Sequence, residues 1–210
     1  MTPTEPIEHQ IPTPELVGIG HAIVDILAYK DKRFLENNGF TLGSMQLIDD
    51  EQVAKLTPLM GAATECSGGS AGNTLAGYAM LGGHAAFIGK VHSDKMGEIF
   101  ISDMERVGVH YAGVKESTGE PTARSLVMVT EEPNPYGGQP DVERTMATYL
   151  GIAGQLRAED IDDDVIACAE IFYIEGYLWD DEGTKDAIRH AIEVAKQNNT
   201  KVAFTLSDPF

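Results

Sequence analysis

A chain of 210 residues with 42% hydrophobic side chains has enough apolar material for one sizeable core and a small appendage. Its 33 acidic against 15 basic residues leave a formal net charge of −18, which argues against nucleic acid or an anionic membrane as a partner, since both need basic faces. Cys66 and Cys168 stand far apart, without CxxC or paired His/Cys spacing, so neither a disulfide framework nor a zinc site is expected, and Cys66 reads as a small buried hydrophobe.

Residues 1–15 hold four prolines and no basic start, which makes a polar leader and not a signal peptide. No apolar run approaches the roughly 18 residues of a membrane span, and a cytoplasmic protein is the expectation. Leu16-Val17-Gly18-Ile19-Gly20 reads as a buried strand, followed by a second apolar piece, 23–29, with the lone acid Asp25 in its middle. Gly18-Ile19-Gly20 does not make a dinucleotide site, because Ile23 stands where the third glycine belongs and strand-like residues follow. A short helix over 31–38 is capped by Asp31, residues 40–48 are extended, and acids at 49–51 open a helix to about Met60.

Ser67-Gly68-Gly69-Ser70-Ala71-Gly72-Asn73 then reads as a tight turn into a helix that ends at Gly82-Gly83. Two readings stand side by side. The glycines can let a ligand approach the backbone and the unpaired first-turn N–H groups. Alternatively, the stretch is a Ser-capped helix start packed through small residues. Residues 84–89 form an apolar strand, and Asp94 caps a helix to about Val107, stopped by Gly108.

Residues 109–114, 124–130 and 144–149 are half-polar strands with no helix between them; the loop 131–142 holds Pro133, Pro135, Gly137, Gly138 and Pro140. With 40–48 they suit a small antiparallel sheet acting as a lid. Alternation resumes with a helix over 160–169, in which Asp160 is a cap, a strand at 171–175, a helix at 182–197 and a strand at 201–206. The expected class is α/β: a mainly parallel sheet with helices on both faces plus the lid.

Together these residues resemble the PfkB, or ribokinase, family of sugar and nucleoside kinases, and its adenosine kinase branch above all. Gly68-Gly69-Ser70-Ala71-Gly72-Asn73, Gly82, Gly89-Lys90-Val91, Asp94 and Gly97-Glu98 match the family's N-terminal signature. Gly18-Ile19-Gly20-His21-Ala22-Ile23-Val24-Asp25-Ile26 resembles its opening strand. Arg144-Thr145-Met146, Ile174-Glu175-Gly176-Tyr177 and Leu206-Ser207-Asp208-Pro209-Phe210 resemble later segments in the expected order. The resemblance runs over 16–210 and implies a ribokinase-like fold.

It also implies ATP and Mg2+ as cofactors and phosphorylation of the primary hydroxyl of a nucleoside or sugar, adenosine first. A non-catalytic nucleoside-binding protein of the same fold, or a ribokinase/fructokinase-type sugar kinase, is the alternative. The two oxygens of Asp25 suit the vicinal hydroxyls of a ribose; the other reading is a strand-end acid facing solvent. Gly68, Gly69 and Ser70 would present backbone N–H groups to the sugar. Asn73 would meet a hydroxyl, or serve as an internal helix cap. Arg144 is implied to neutralise phosphate charge, or else makes a surface ion pair. Leu47, Leu178 and Phe210 match positions lining the base pocket, or are core residues.

His21 departs from the adenosine kinase pattern, which has Asn there; it remains a substrate-binding candidate that can titrate. The family's C-terminal half, with its Gly-Ala-Gly-Asp motif, general base and ATP site, has no counterpart. No catalytic residue is therefore assigned, although Asp208, just past a strand end, is the one acid considered as a base. The 210 residues are expected to be the N-terminal part of a longer chain and to be inactive alone. A homodimer through the lid is a further expectation.

Overall fold

The computed structural model describes residues 13–207. Most of the predicted leader lies outside the described residues, as do Asp208 and Phe210. Glu15 belongs to the folded body and not to a leader: its carboxylate accepts from the Tyr78 hydroxyl at 3.0 Å and from the His84 N–H at 3.1 Å.

The chain opens with β1 (Leu16–Ile19), crosses into β2 (Ile23–Tyr29) and reaches α1 (Lys32–Asn37). β3 (Met45–Leu47), α2 (Asp50–Leu56) and β4 (Thr64–Ser67) lead to α3 (Ser70–Met80). Next come β5 (Ala85–Ile88), β6 (Lys90–His92), α4 (Lys95–Arg106), β7 (Val109–Tyr111) and β8 (Val114–Glu116). The long pair β9 (Ala123–Glu132) and β10 (Asp141–Tyr149) precedes α5 (Asp163–Ala167), β11 (Ile171–Ile174), α6 (Glu182–Gln197) and β12 (Lys201–Phe204).

The main sheet runs β12-β11-β1-β5-β7, all parallel. The apolar runs of its inner strands β1 and β5 are buried on both faces, as a covered parallel sheet requires, while the edge strand β12 leaves Val202 and Phe204 exposed. On one face Val17, Ile19, Ala86, Ile88, Phe172 and Ile174 pack against Ile166, Ile188 and Ala191 of α5 and α6. On the other, Ala85 and Phe87 meet Leu75, Phe100 and Met104 of α3 and α4. Successive residues of β5 thus feed opposite cores, which is the period-two alternation of a strand. Phe87 and Phe100 lie tilted with centroids 5.1 Å apart.

The second sheet runs β3-β10-β9-β2-β4. Ile26, Ala28, Leu126, Met128, Ala147 and Tyr149 on one of its faces pack against Leu35, Val53 and Leu56 of α1 and α2. It is mixed, not antiparallel: β9 and β10 are antiparallel, but β2–β9 and β10–β3 are parallel. Other expectations also shift. Val109–Tyr111, expected in the lid, pairs with β5 in the main sheet, whereas β2 and β4 join the second sheet. Of 40–48 only Met45–Leu47 is a strand. The helix expected over 160–169 is shorter, Asp163–Ala167. Asp160 is no N-cap; it pairs with Lys90 at 3.0 Å and takes the Arg157 N–H at 2.8 Å. Cys66 is half-buried on β4, not a core residue.

Candidate acceptor-binding site

The chain passes between its two sheets twice at one place. It leaves β1 through Gly20 and His21 to enter β2, and it returns from β4 through Gly68 and Gly69 into α3. Both crossings lie at the C-terminal ends of the parallel strands, where open α/β sheets hold ligands. A cavity of about 1150 Å³ opens there, between those strand ends and one face of the second sheet. It is lined by His21, Asp25, Gly69, Ser70, Asn73 and Glu175 on the crossing side. Leu47, Ser125, Arg144, Met146 and Thr148 line it from the second sheet, and Tyr177, Trp179, Phe204 and Leu206 add an aromatic and apolar wall.

Asp25 lies on β2, whose residues alternate between core and cavity. Strand register sets Cys66, Asp25, Ser125, Thr148 and Leu47 in one row across the second sheet. Within that row the buried hydroxyls of Ser125 and Thr148 hydrogen-bond at 2.9 Å. Burial pushes the Asp25 carboxyl up to about 6, with the Arg144 guanidinium pulling it only partly back.

The glycine turn fits tightly around this carboxylate. A Cβ on Gly68 would lie 2.5 Å from the Asp25 carboxyl carbon. Gly69 has φ +83°, and a Cβ there would lie 2.8 Å from the His21 carbonyl oxygen. Both positions therefore need glycine, one for space and one for conformation as well. The Ser-capped alternative fails: Gly69 is the N-cap and no side chain caps α3. Asn73 is exposed on the cavity side of α3, so it is no internal cap.

The sequence reading gives Glu175 no binding role, although it stands in the Ile174-Glu175-Gly176-Tyr177 segment. It follows β11, is 1% exposed, and lines the same cavity. Its carboxylate accepts from the Ala71 N–H at 2.7 Å and the His21 N–H at 3.3 Å, and lies 3.5 Å from His21 Nδ1. The signal was present: like Asp25, it is a lone acid against an apolar strand. Trp179, the single Trp of the chain, was also passed over, although it lies beside Gly176 and Tyr177.

Residues 15–210 match the pfkB family carbohydrate kinase. The chain belongs to the PfkB family. PfkB kinases are phosphotransferases, and kinases of this kind use ATP. The chain is 47% identical to a crystallised adenosine kinase from Sinorhizobium meliloti, with TM-score 0.83 over 93% of this chain and 57% of that one. It is 43% identical to a probable sugar kinase protein from Rhizobium etli CFN 42, again with TM-score 0.83 and the same coverage. Guanosine-inosine kinase of Escherichia coli K12 is 29% identical over 208 residues, 93% of this chain and 45% of that protein. The chain thus spans about half the length of the relatives it matches.

Most of the residues expected at the site converge. His21, Asp25, Leu47, Gly69, Ser70, Asn73 and Arg144 all line the cavity, with Gly68 directly behind Asp25. Arg144 is exposed and makes no ion pair among the described residues, so the surface-pair alternative does not hold. Leu178 does not join them: it is 1% exposed inside the core beneath α6, while its neighbours Tyr177 and Trp179 face the cavity. Among the described residues no helix is long and apolar enough to cross a membrane, and no group of three or more His, Cys, Asp or Glu is placed to hold a metal.

Proposed function

We propose that this chain carries the acceptor site and lid of an ATP-dependent kinase that phosphorylates the primary hydroxyl of a nucleoside, adenosine first. The observation that carries this reading is a half-buried carboxylate facing an aromatic wall across one cavity. Asp25 offers two acceptor oxygens to vicinal hydroxyls. Tyr177, Trp179 and Phe204 offer flat apolar area to a base, which a free sugar would leave uncovered. Three carboxylates, Asp25, Glu175 and Asp180, against the one guanidinium of Arg144 favour a neutral acceptor over a sugar acid or sugar phosphate.

In this reading Asp25 and the glycine turn hold the ribose so that its primary hydroxyl is presented to the donor. Arg144, on the lid strand β10, lends positive charge to the phosphoryl group as it moves between oxygens. Transfer of this kind depends mostly on positioning and charge neutralisation. ATP with Mg2+ would supply the phosphoryl group, and among the described residues Arg144 is what this chain offers that group. Similarity to an adenosine kinase at 47% identity supports the nucleoside; similarity to a probable sugar kinase at 43% keeps a ribokinase- or fructokinase-type acceptor as the second reading.

The test is a panel of adenosine, inosine, guanosine, ribose and fructose offered to the intact protein with MgATP, following the phosphorylated products. Fastest transfer to adenosine is expected. Transfer to free sugars alone would establish the second reading, and tight nucleoside binding without transfer would leave a binding protein.

A further inference from the structure

The contact between Glu175 and His21 lies on the crossing side of the cavity, and the reading above gives it no role. Three segments meet on this one carboxylate. One oxygen accepts from the Ala71 N–H in the first turn of α3 at 2.7 Å. The other accepts from the His21 N–H at 3.3 Å and lies 3.5 Å from His21 Nδ1. Glu175 itself follows β11 directly, before the short helical turn at 176–180. Space is made for it: a Cβ on Gly20 would lie 2.7 Å from a Glu175 oxygen and 2.6 Å from the Ala71 Cβ.

The main sheet does not need this group. Its ladders run through Ile19 and Ile174, and the core beneath is apolar. Burying a carboxylate is costly unless hydrogen bonds satisfy it, and apolar residues of similar volume are often as stable or more so. What the charge adds is orientation of the two segments that cross between the sheets, both of which line the cavity.

We propose that Glu175 is a positioning residue for the acceptor, acting through His21 and the first turn of α3. The inference rests on the acceptor-site reading above. Nδ1 lies 3.5 Å from the carboxylate, so a neutral His21 ring would hold its proton on that side and leave Nε2 as an acceptor, since the partner of one ring nitrogen sets the state of the other. His21 and Asp25 are then two acceptors lining one cavity, a match for an acceptor molecule with two hydroxyl donors. The glycine turn keeps its place because Ala71 is tied to the same carboxylate.

Glu175→Gln in the intact protein keeps the shape and removes the charge. The acceptor KM should rise by about tenfold or more, the scale of a lost charged hydrogen bond, with the ATP KM within about twofold. In protein labelled with 15N-histidine, long-range 1H–15N correlations should show the His21 proton on Nδ1 in the wild type and moved toward Nε2 in the variant. His21→Asn combined with Glu175→Gln should weaken acceptor binding no more than the larger single change, because one acts through the other.

An unchanged tautomer, an equal rise in both KM values, or additive effects in the double variant would each overturn the inference. Where Glu175→Gln does not fold, Glu175→Asp, which keeps the charge but withdraws it by one methylene, gives the same readouts. If the wild type binds neither nucleoside nor sugar by calorimetry, the acceptor-site reading falls; the tautomer result still decides whether Glu175 orients His21.

Discussion

Asp25 shows how one residue can be legible in type and illegible in setting. A lone acid in an apolar strand marks itself, but its raised carboxyl follows from burial beneath the glycine turn. Asp25→Asn should weaken acceptor binding by about 1.5–3 kcal/mol and leave ATP binding unchanged, measured by calorimetry with a nucleoside and an ATP analogue. The sign of its pH effect follows from linkage. The folded carboxyl ionises at about 6 and the ordinary one at 3.8, so between these values the folded chain keeps a proton that the unfolded chain has released. Stability contributed at this site therefore falls as pH rises through that window and stays lower above it. Urea midpoints of wild type minus Asp25→Asn should decline from about pH 4 to about pH 6 and then level off. Acceptor affinity should run the other way, strengthening as pH rises through about 6 and the carboxylate ionises. Gly68→Ala, whose Cβ would strike the same carboxyl, should cost more in acceptor affinity than in melting temperature.

Among the elements, α4 is the clearest case of local chemistry deciding structure. Asp94 accepts from the Gly97 N–H at 2.8 Å, and from the Thr122 N–H at 3.0 Å and hydroxyl at 2.8 Å, so it caps the helix and ties it to the strand β9 that follows Thr122. Burial pushes its carboxyl up, but those bonds outweigh it and hold the group below the usual range. Its stabilisation is present at neutral pH and is lost as pH falls through the depressed value. Asp94→Ala should destabilise by about 1–2 kcal/mol, from the lost cap and the stranded Thr122 amide, read as a lower thermal midpoint whose deficit shrinks in acid.

Over the whole molecule, the two sheets keep separate cores and share the cavity between them. The loop between β9 and β10 carries Tyr136 at 96% exposure, and the outer half of β10 is exposed before the strand becomes buried from Thr145 onward. Amide exchange should therefore be fastest over 133–144, slower at 145–149, and slowest in β1, β5 and β11. β7, which looks like a lid strand from its sequence, should exchange with the main sheet. Adding an acceptor should slow exchange in β2 and the inner half of β10; uniform protection with and without it would mean a rigid lid.

Much of this was determined locally. The caps of α1 and α4, the acidic first turn of α2 and the stop of α6 at Asn198 depend on neighbours a few residues away, and they stand as read. The PfkB signature is legible as a string, but the partners its glycines answer to are distant in sequence, Asp25 for Gly68 and His21 for Gly69. Sheet membership is not local. Whether Val109–Tyr111 or Ile23–Tyr29 joins the lid depends on pairings with strands far along the chain, and a half-polar strand satisfies either sheet. The row Cys66, Asp25, Ser125, Thr148 and Leu47 exists only once register is set. The same holds for Leu178, turned into the core by the short helical turn after β11, and for Glu175, whose partners lie 154 and 104 residues away. A sequence shows which groups carry charge; only packing decides which of them share a wall.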